Sequence, residues 1–383
     1  MKYKIILSGV ETNNKGAELM LYAILQEIER KHPEAVVYIP EANVKQGKKY
    51  IQTSLPIKYL PFSWFVKRLH LGRLFRILHF PMRYLQDVYA IKGADYFIDG
   101  SGFHFSDQKK NFTSDKVWKW KHLLERLNGQ GCRIVFLPQA FGPAHKANTL
   151  NGFKIISDFA SLIIPREQTS YNFLSQSGVV NMKKVKLFTD FTSLVEGVFP
   201  EGYEHLKDGI CIIPNLRMVD TGTVSKEDYI GLISAIVNSC KASGHPIYLL
   251  NHEGEGDEQL AYECKQRIGN VIEVVTGLNA LEVKGMIASA YVVVTSRFHG
   301  LASALNSCIP CLATSWSHKY AELFNDYDLS DSILPLDNNE VAVEKVSMIL
   351  DKSNNEKIRL HLSAKVEEVK NQTKEMWKTI WSL

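Results

Sequence analysis

Several hallmarks of membrane, secreted and fibrous proteins are missing from this 383-residue sequence. No window approaches the ~18 consecutive apolar residues that a membrane-spanning helix requires. The six cysteines are widely scattered and form no disulfide framework, so we expect a reducing, cytoplasmic environment. The first sixteen residues carry only a short apolar run and no small-residue cleavage site. They are typical of a buried strand and not of a signal peptide.

Acidic residues are absent from Ala42 to Gln86, although the formal net charge of the whole chain is only +4. This stretch holds nine Lys or Arg residues, interleaved with aromatic side chains such as Trp64 and Phe65. We predict an insertion over about residues 42–92. It either packs against its own domain or lies on an anionic membrane surface. We do not expect it to bind nucleic acid, because no recognition motif accompanies the charge.

Apolar strands alternate with amphipathic helices in both halves of the chain. This order predicts parallel sheets covered by crossover helices. A loop-like stretch from Glu196 to Asp208, containing glycines and a proline, separates the halves. We therefore predict an α/β protein with Rossmann-like domains at residues 1–200 and 201–350 and a helical tail at 351–383. Ligands bind beyond the carboxyl ends of such strands, so we expect the site in the cleft between the domains.

The segment Val292–Ile309, VVVTSRFHGLASALNSCI, contains the sharpest candidate for a functional site. Polar and small residues follow the predicted strand end at Thr295: Ser296, Arg297, His299 and Gly300. A predicted helix comes after them. Such a helix start attracts anions through its backbone N–H groups and its dipole, and Arg297 adds a planar donor pair for carboxylate or phosphate. The alternative interpretation is a polar helix cap with a structural arginine and histidine.

Polar clusters also follow other predicted strands. They include Asn14, Gly16 and Glu18 in the first loop, Asp99 and His104 in DGSGFHFSD, Asp190, Arg217 in PNLR, His252 in HEGEGD, and Lys319. Because the carboxyl ends of parallel strands meet at one edge of a sheet, we expect these side chains to converge. HEGEGD lacks the second histidine of HExxH, so we predict no metal site there.

These motifs resemble the polysaccharide pyruvyl transferase family over about Lys4–Leu329. The resemblance is carried by NNKGAEL (Asn13–Leu19), DGSGFHFSD (Asp99–Asp107), LPQAFGP (Leu137–Pro143), REQTSYNFL (Arg166–Leu174), DFT (Asp190–Thr192), PNLR and, most specifically, Ala280–Tyr320. It implies a GT-B-like architecture and transfer of the pyruvyl group of phosphoenolpyruvate to a sugar, commonly as a ketal. The first loop departs from the family, with Ala17-Glu18 where many members carry Gly-Asp.

The resemblance and the chemistry of phosphoenolpyruvate together suggest roles for these residues. On the donor side we place Arg217, His252, Ser296, Arg297, His299, Gly300 and Lys319, and on the acceptor side Asn14, Gly16, Glu18 and His104. His299 is predicted to bind phosphate and protonate the leaving group, with Asp99 or Asp190 as the base for the sugar hydroxyl. Phosphoenolpyruvate is a co-substrate, so we expect no cofactor and no metal. The expected acceptor is a lipid-linked or oligosaccharide precursor of a surface polysaccharide.

Two other functions fit the same architecture. A nucleotide-sugar glycosyltransferase needs a carboxylate near its donor helix to hold ribose, but the first acidic residue after His299 is Glu322. A non-catalytic glycan or lipid-carrier binding protein has no need of the clustered cations Arg217, Arg297 and Lys319. A donor assay with phosphoenolpyruvate separates these alternatives.

Overall fold

The computed structural model describes residues 2–44, 47–48, 51–60, 91–108, 113–315 and 317–383. The chain forms two compact units. Unit 1 comprises Met1–Thr12, Met20–Asp190 and Glu375–Leu383, and unit 2 comprises Asn13–Leu19 and Phe191–Lys374. The chain enters unit 2 at Phe191, before the predicted boundary at residue 200. Contacts inside unit 2 explain this: Lys284 Nζ donates to the Thr192 carbonyl at 3.0 Å, and the Ser193 and Thr373 hydroxyls are hydrogen-bonded.

Unit 1 is built on six parallel strands in the order β3-β2-β1-β4-β5-β6. They are β1 (Lys4–Ser8), β2 (Val36–Pro40), β3 (Ile57–Leu60), β4 (Tyr96–Asp99), β5 (Arg133–Gln139) and β6 (Leu162–Pro165). Ile5 of the central β1 pairs with Val37 on one side and Tyr96 on the other. The central strands are continuous apolar runs because helices cover both faces of a parallel sheet.

Among the described residues of unit 1, five helices accompany this sheet, although the first turn of α1 belongs to unit 2. They are α1 (Lys15–Lys31), α2 (Glu41–Val44), α3 (Ser114–Asn128), α4 (Ala147–Phe159) and α5 (Gln168–Gln176). The apolar segment Val185–Phe188 forms an isolated bridge between Val185 and Ile163. It lies beside the edge strand β6 with Leu187 exposed, so no second neighbour completes a regular strand.

Unit 2 repeats the arrangement with five parallel strands in the order β11-β10-β7-β8-β9. They are β7 (Ile210–Ile213), β8 (Ile247–Leu250), β9 (Glu273–Val275), β10 (Val292–Thr295) and β11 (Cys311–Ala313). The helices are α6 (Arg217–Asp220), α7 (Lys226–Cys240), α8 (Gly254–Arg267), α9 (Ala280–Ala288), α10 (Phe298–Asn306), α11 (Lys319–Asp326), α12 (Asn339–Leu350) and α13 (Lys352–Trp381). Separate apolar clusters pack on the two faces of this sheet, which is therefore buried on both sides.

The predicted helical tail is α13, which begins in unit 2 and ends in unit 1. In unit 1, the Trp381 indole donates to Glu27 Oε1 at 2.7 Å, and Arg133 Nε donates to the Leu383 carbonyl at 2.5 Å. Trp377 is buried. The last residues of the chain therefore belong to the fold of unit 1. Across the described part of the chain, every helix is too short or too polar to cross a bilayer.

In both units the strand order reverses beside the first strand, between β1 and β4 in unit 1 and between β7 and β10 in unit 2. A sheet wound in this way opens a crevice at the carboxyl ends of the two strands, where ligands bind. Each unit is thus Rossmann-like, as the sequence predicted. The segment 61–90, which holds most of the predicted basic insertion, lies outside the described residues.

Candidate functional site

The carboxyl ends of β7 and β10 are joined by hydrogen bonds around Ser296. Asn215 Nδ2 and the Tyr320 hydroxyl each donate to the Ser296 carbonyl at 2.7 Å. The Ser296 hydroxyl is buried between those of Tyr229 and Thr314, each at 2.5 Å. Ser296, predicted to bind the donor, therefore uses its polar groups to hold the two strand ends together at the switch point of unit 2.

Arg297 follows directly, as the N-cap residue of α10, and has an extended backbone. Its N–H donates to Thr295 Oγ1 at 3.0 Å, which fixes the turn between strand and helix. The helix begins at Phe298, so His299 and Gly300 lie in its first turn. The positive end of the helix dipole is thereby directed to the crevice edge of the sheet.

The Arg297 guanidinium is held by two carboxylates of unit 2. Its Nε donates to Asp257 Oδ2 at 2.8 Å, its NH2 also contacts Asp257, and its NH1 contacts Glu253. Asp257 is buried and accepts a further bond from the Leu216 N–H at 2.9 Å. Burial lowers the pKa of Arg297 to about 10, so the guanidinium is charged at neutral pH. Glu253 and Asp257 of HEGEGD thus pair with an arginine of the same unit.

Burial also raises the pKa of Asp257 to about 7, against the opposing effects of the Leu216 N–H and the charge of Arg217. Contact with Arg297 at hydrogen-bonding distance likewise favours the carboxylate. Among the described residues, no group of three or more His, Cys, Asp or Glu side chains has an arrangement that could hold a metal ion.

His252 is a buried neutral histidine in the same neighbourhood. It is only 4% exposed, and its Nδ1 has no hydrogen-bond partner among the described residues. Burial lowers the pKa of His252 well below its usual value, and the charges of Arg297, His299 and Lys15 lower it further. Lys15, His252, Arg297 and His299 therefore form a group of basic side chains in unit 2. The Nδ1 atom of His252 is available for a hydrogen bond to a ligand.

The first loop of the chain meets this group within unit 2. An ideal Cβ built on Gly16 would lie 2.2 Å from His299 Nδ1, so the backbone at Gly16 lies directly against the imidazole. Asn14 Oδ1 caps the start of α1 by accepting from the N–H groups of Gly16 and Ala17 at 2.9 and 3.1 Å. Asn14, Gly16 and Glu18, predicted on the acceptor side, thus belong to the same unit as the predicted donor residues.

Lys15 is a charged residue of this loop that the sequence analysis did not single out. Its Nζ lies 2.8 Å from Oε2 of the buried Glu18. Burial raises the pKa of Glu18, while Lys15 and the Ala280 N–H lower it. The lysine of the NNKGAEL motif could have suggested a cation at this site. However, a single lysine in a polar loop does not show to which unit the loop belongs.

The remaining predicted donor residues lie at the same edge of unit 2. Arg217 begins α6 just after β7 and is exposed, and its charge acts on both Asp257 and Arg297. Lys319 begins α11, with its Nζ 5.6 Å from the centroid of the Phe298 ring. Both cations are thus near the start of α10.

The other predicted residues belong to unit 1. Asp99 ends β4 at the switch point of that unit and is fully buried. Its Oδ1 accepts from the Ser101 N–H at 3.2 Å and from Gln139 Nε2 at 3.4 Å, while Oδ2 has no hydrogen-bond partner in the described chain. His104 Nε2 accepts from the Trp120 indole at 3.2 Å. Asp190, also buried, is the last residue before the chain enters unit 2.

Several solved structures share this architecture. HepE from Anabaena in complex with UDP matches with a TM-score of 0.63 and 12% identity over 100% of both chains. A putative UDP-N-acetylglucosamine 2-epimerase from Listeria monocytogenes has a TM-score of 0.56 and 12% identity, over 94% of this chain and 91% of that chain. The lipopolysaccharide outer core galactosyltransferase WaaB has a TM-score of 0.51 and 11% identity over 99% of both chains. These low identities show the fold alone, which is GT-B.

Comparison with curated protein sequences gave no match. The sequence profile described as polysaccharide pyruvyl transferase, in contrast, matches residues 14–318. The matched range includes the loop around Gly16, the ends of strands β2 to β11 and the turn that carries Arg297 and His299. It covers well over half of the chain, from the first helix to the beginning of α11. The chain therefore belongs to the polysaccharide pyruvyl transferase family.

Proposed function

We propose that this protein transfers the pyruvyl group of phosphoenolpyruvate to a sugar of a surface-polysaccharide precursor and forms a pyruvate ketal. The observation that carries the proposal is the group of basic side chains at the start of α10: the cations Lys15 and Arg297, with the imidazoles of His252 and His299. Phosphoenolpyruvate is a small molecule with one carboxylate and one phosphate. Such a multiply charged anion calls for a helix N-terminus together with positive side chains.

The reaction needs proton transfers at defined atoms. Protonation of the donor's methylene carbon makes its neighbouring carbon cation-like, and one sugar hydroxyl adds there with loss of its proton. A second hydroxyl then replaces phosphate at the same carbon and also loses its proton, which closes the ketal and releases inorganic phosphate. We assign phosphate binding and protonation of the leaving group to His299. Asp99 and Asp190 are the candidate bases for the sugar hydroxyls.

Arg297 contributes a charge whose direction is already fixed. In the ligand-free chain Asp257 holds Nε and NH2, and the more exposed Glu253 occupies NH1. We propose that the donor displaces Glu253 from NH1 while Asp257 keeps the guanidinium in place. Arg217 and Lys319 add positive charge near the start of α10, and no metal or further cofactor enters this scheme.

We further propose a lipid-linked or oligosaccharide acceptor, and peripheral attachment of the enzyme to the cytoplasmic face of an anionic membrane. The support is compositional: Ala42–Gln86 has nine basic residues, no acidic residue and several aromatic side chains. Basic charge attracts anionic lipid, and aromatic side chains insert at its interface.

A donor assay tests the proposal. Purified protein is incubated with phosphoenolpyruvate and a panel of lipid-linked or aryl glycosides, while phosphate release and product mass are followed. We expect phosphate release that depends on acceptor, and a product heavier by one pyruvic acid minus water. Turnover of a UDP-sugar with none of phosphoenolpyruvate would instead establish a glycosyltransferase. Acceptor binding with no phosphate release would establish a non-catalytic binding protein.

A further inference from the structure

We infer that Lys15 is a substrate-binding cation of the anion site in unit 2, and that Glu18 is the residue that positions it. The inference deepens the proposed function and rests on it for the identity of the donor. It makes the first loop a part of the donor site, in contrast to the acceptor side on which the sequence placed Asn14, Gly16 and Glu18.

Two observations place Lys15 beside the group of basic side chains at the start of α10. Residue 16, next in the chain, has its backbone against the His299 ring. Lys15 is also one of the three charges that lower the pKa of His252, together with Arg297 and His299. The close approach of Gly16 to His299 therefore brings the first residue of α1 near the start of α10, within the same unit. The electrostatic effect of Lys15 on His252 agrees with this placement.

A second kind of observation indicates that the group is arranged for a ligand. The side chain of His252 is only 4% exposed, yet its Nδ1 has no hydrogen-bond partner among the described residues. A buried polar atom without a partner costs on the order of 1–3 kcal/mol, so native structures seldom leave one unless it serves a function. In its neutral form His252 can donate one N–H to an anionic oxygen.

Glu18 holds the Lys15 ammonium in place. The carboxylate is 1% exposed, lies 2.8 Å from Nζ and is approached by the Ala280 N–H. A lysine ammonium has three N–H donors, and this pair uses one of them. Lys15 therefore resembles Arg297, because a buried carboxylate of the same unit fixes the direction of each cation. Cations fixed in this way lose little side-chain entropy when a multiply charged anion binds.

A purely structural interpretation also exists, in which Lys15 only neutralises a buried glutamate. The same helix offers a matched control, because Arg30 forms an equivalent pair with Glu27 at the same spacing and Glu27 is also buried. Lys15→Met and Arg30→Met remove the same charge from the same helix. Only the first should affect an anion bound in unit 2.

Calorimetric titration of the full chain with phosphoenolpyruvate and with UDP tests the inference. We expect Lys15→Met to weaken phosphoenolpyruvate binding by about 10- to 100-fold, Lys15→Arg to restore part of it, and Arg30→Met to leave Kd within about twofold. If Lys15→Met binds both anions as the wild type does, the inference is wrong while the proposed function stands. If only UDP binds, and binding depends on Lys15, the proposed donor is wrong while the role of Lys15 stands. If neither anion shows Lys15-dependent binding, the inference fails.

A double-mutant cycle tests the positioning role of Glu18. We expect Glu18→Gln to weaken phosphoenolpyruvate binding in the wild type but to have little further effect in the Lys15→Met background, because its action passes through Lys15. Circular dichroism of each variant at the titration temperature confirms that the protein is folded. Equal weakening in both backgrounds would show that Glu18 acts by another route, and would overturn the positioning role.

Discussion

The backbone of Gly16 lies against the imidazole of His299, so closely that a methyl group on residue 16 would come 2.2 Å from Nδ1. Gly16 is a helical residue near the start of α1, where its backbone needs no special conformation. The reason for glycine here is therefore the space taken by His299. Two motifs separated by more than half of the chain thus fix each other's geometry.

Gly16→Ala should reduce turnover while leaving the fold intact. Alanine is the better helix former, but its methyl group displaces His299, and a misplaced catalytic group of this kind costs on the order of 100-fold in rate. Initial rates of phosphate release and thermal melting give the two readouts. Gly231→Ala is the control, because it lies in α7 with open space around its Cα. It should keep full activity; equal activity in Gly16→Ala would show that His299 is not needed in its present position.

Arg297→Ala should weaken both donor binding and the fold. Without the guanidinium, buried Asp257 lacks its partner, and breaking such a pair costs on the order of 3–5 kcal/mol. The pKa of Asp257, already raised to about 7, then exceeds its unfolded value by even more. The folded state therefore binds the extra proton, and the variant should lose stability as pH rises from about 4 to above 7. Urea unfolding at several pH values measures this.

The double variant Arg297→Ala with Asp257→Asn removes the titrating group and should flatten that pH dependence. It should also recover part of the stability, while phosphoenolpyruvate binding stays weak in both variants. A double variant that regained normal donor affinity would show that Arg297 does not contact the donor.

Glu253→Gln should tighten phosphoenolpyruvate binding. The side chain occupies Arg297 NH1 and competes with the donor for it. Removing the charge from a partly exposed carboxylate changes the balance by about 1 kcal/mol, or roughly fivefold in Kd. Glu255→Gln, an exposed neighbour in α8, serves as the control. Weaker binding in Glu253→Gln would mean that Glu253 supports the donor site and does not compete for it.

His252 should make the protein less stable in mild acid. Its pKa is lowered well below 6.5 in the folded state by burial and by Arg297, His299 and Lys15. Below pH 6.5 the unfolded chain therefore gains a proton that the folded chain does not, and stability falls with pH. Between pH 7.5 and 5.5 this contributes about 1.4 kcal/mol. His252→Gln should lose that part of the dependence in urea titrations, whereas a change at the exposed His145 should retain it.

Anionic vesicles should bind the protein at low salt, and neutral vesicles should not. Changing Lys67, Arg68, Arg73 and Arg76 to Glu should abolish this binding, because it depends on attraction between the basic segment and the lipid surface. Co-sedimentation with and without added salt measures it. No binding of the wild type at low salt would exclude the membrane attachment without affecting the donor assignment.

The GT-B architecture could be predicted from the sequence because the central strands are unmistakable. β1, β4, β7 and β10 are short apolar runs, each followed by polar residues. Two other elements could not be predicted in this way. β3 lies inside the basic stretch, and α10 begins among polar residues that resemble a loop. These elements are stabilised by neighbours in space more than by local sequence preference.

The site was predictable only in part. The group around Arg297 and His299 follows from a strand end and a helix start, which are local features. The pairing of Arg297 with Asp257 depends on how α8 packs beside β10, and sequence spacing does not reveal it. The inclusion of Asn13–Leu19 in unit 2 is equally invisible, since some 170 residues of unit 1 separate that loop from its neighbours.

The passage of the chain between units has a consequence for synthesis on the ribosome. Unit 1 includes Glu375–Leu383, where Trp381 bonds Glu27 and Leu383 accepts from Arg133. Although domains generally fold from the N-terminus as they emerge, this first unit must wait until Glu375–Leu383 have been synthesised. A stop codon just after Lys374 would therefore leave the half of the protein that was made first without its final segment.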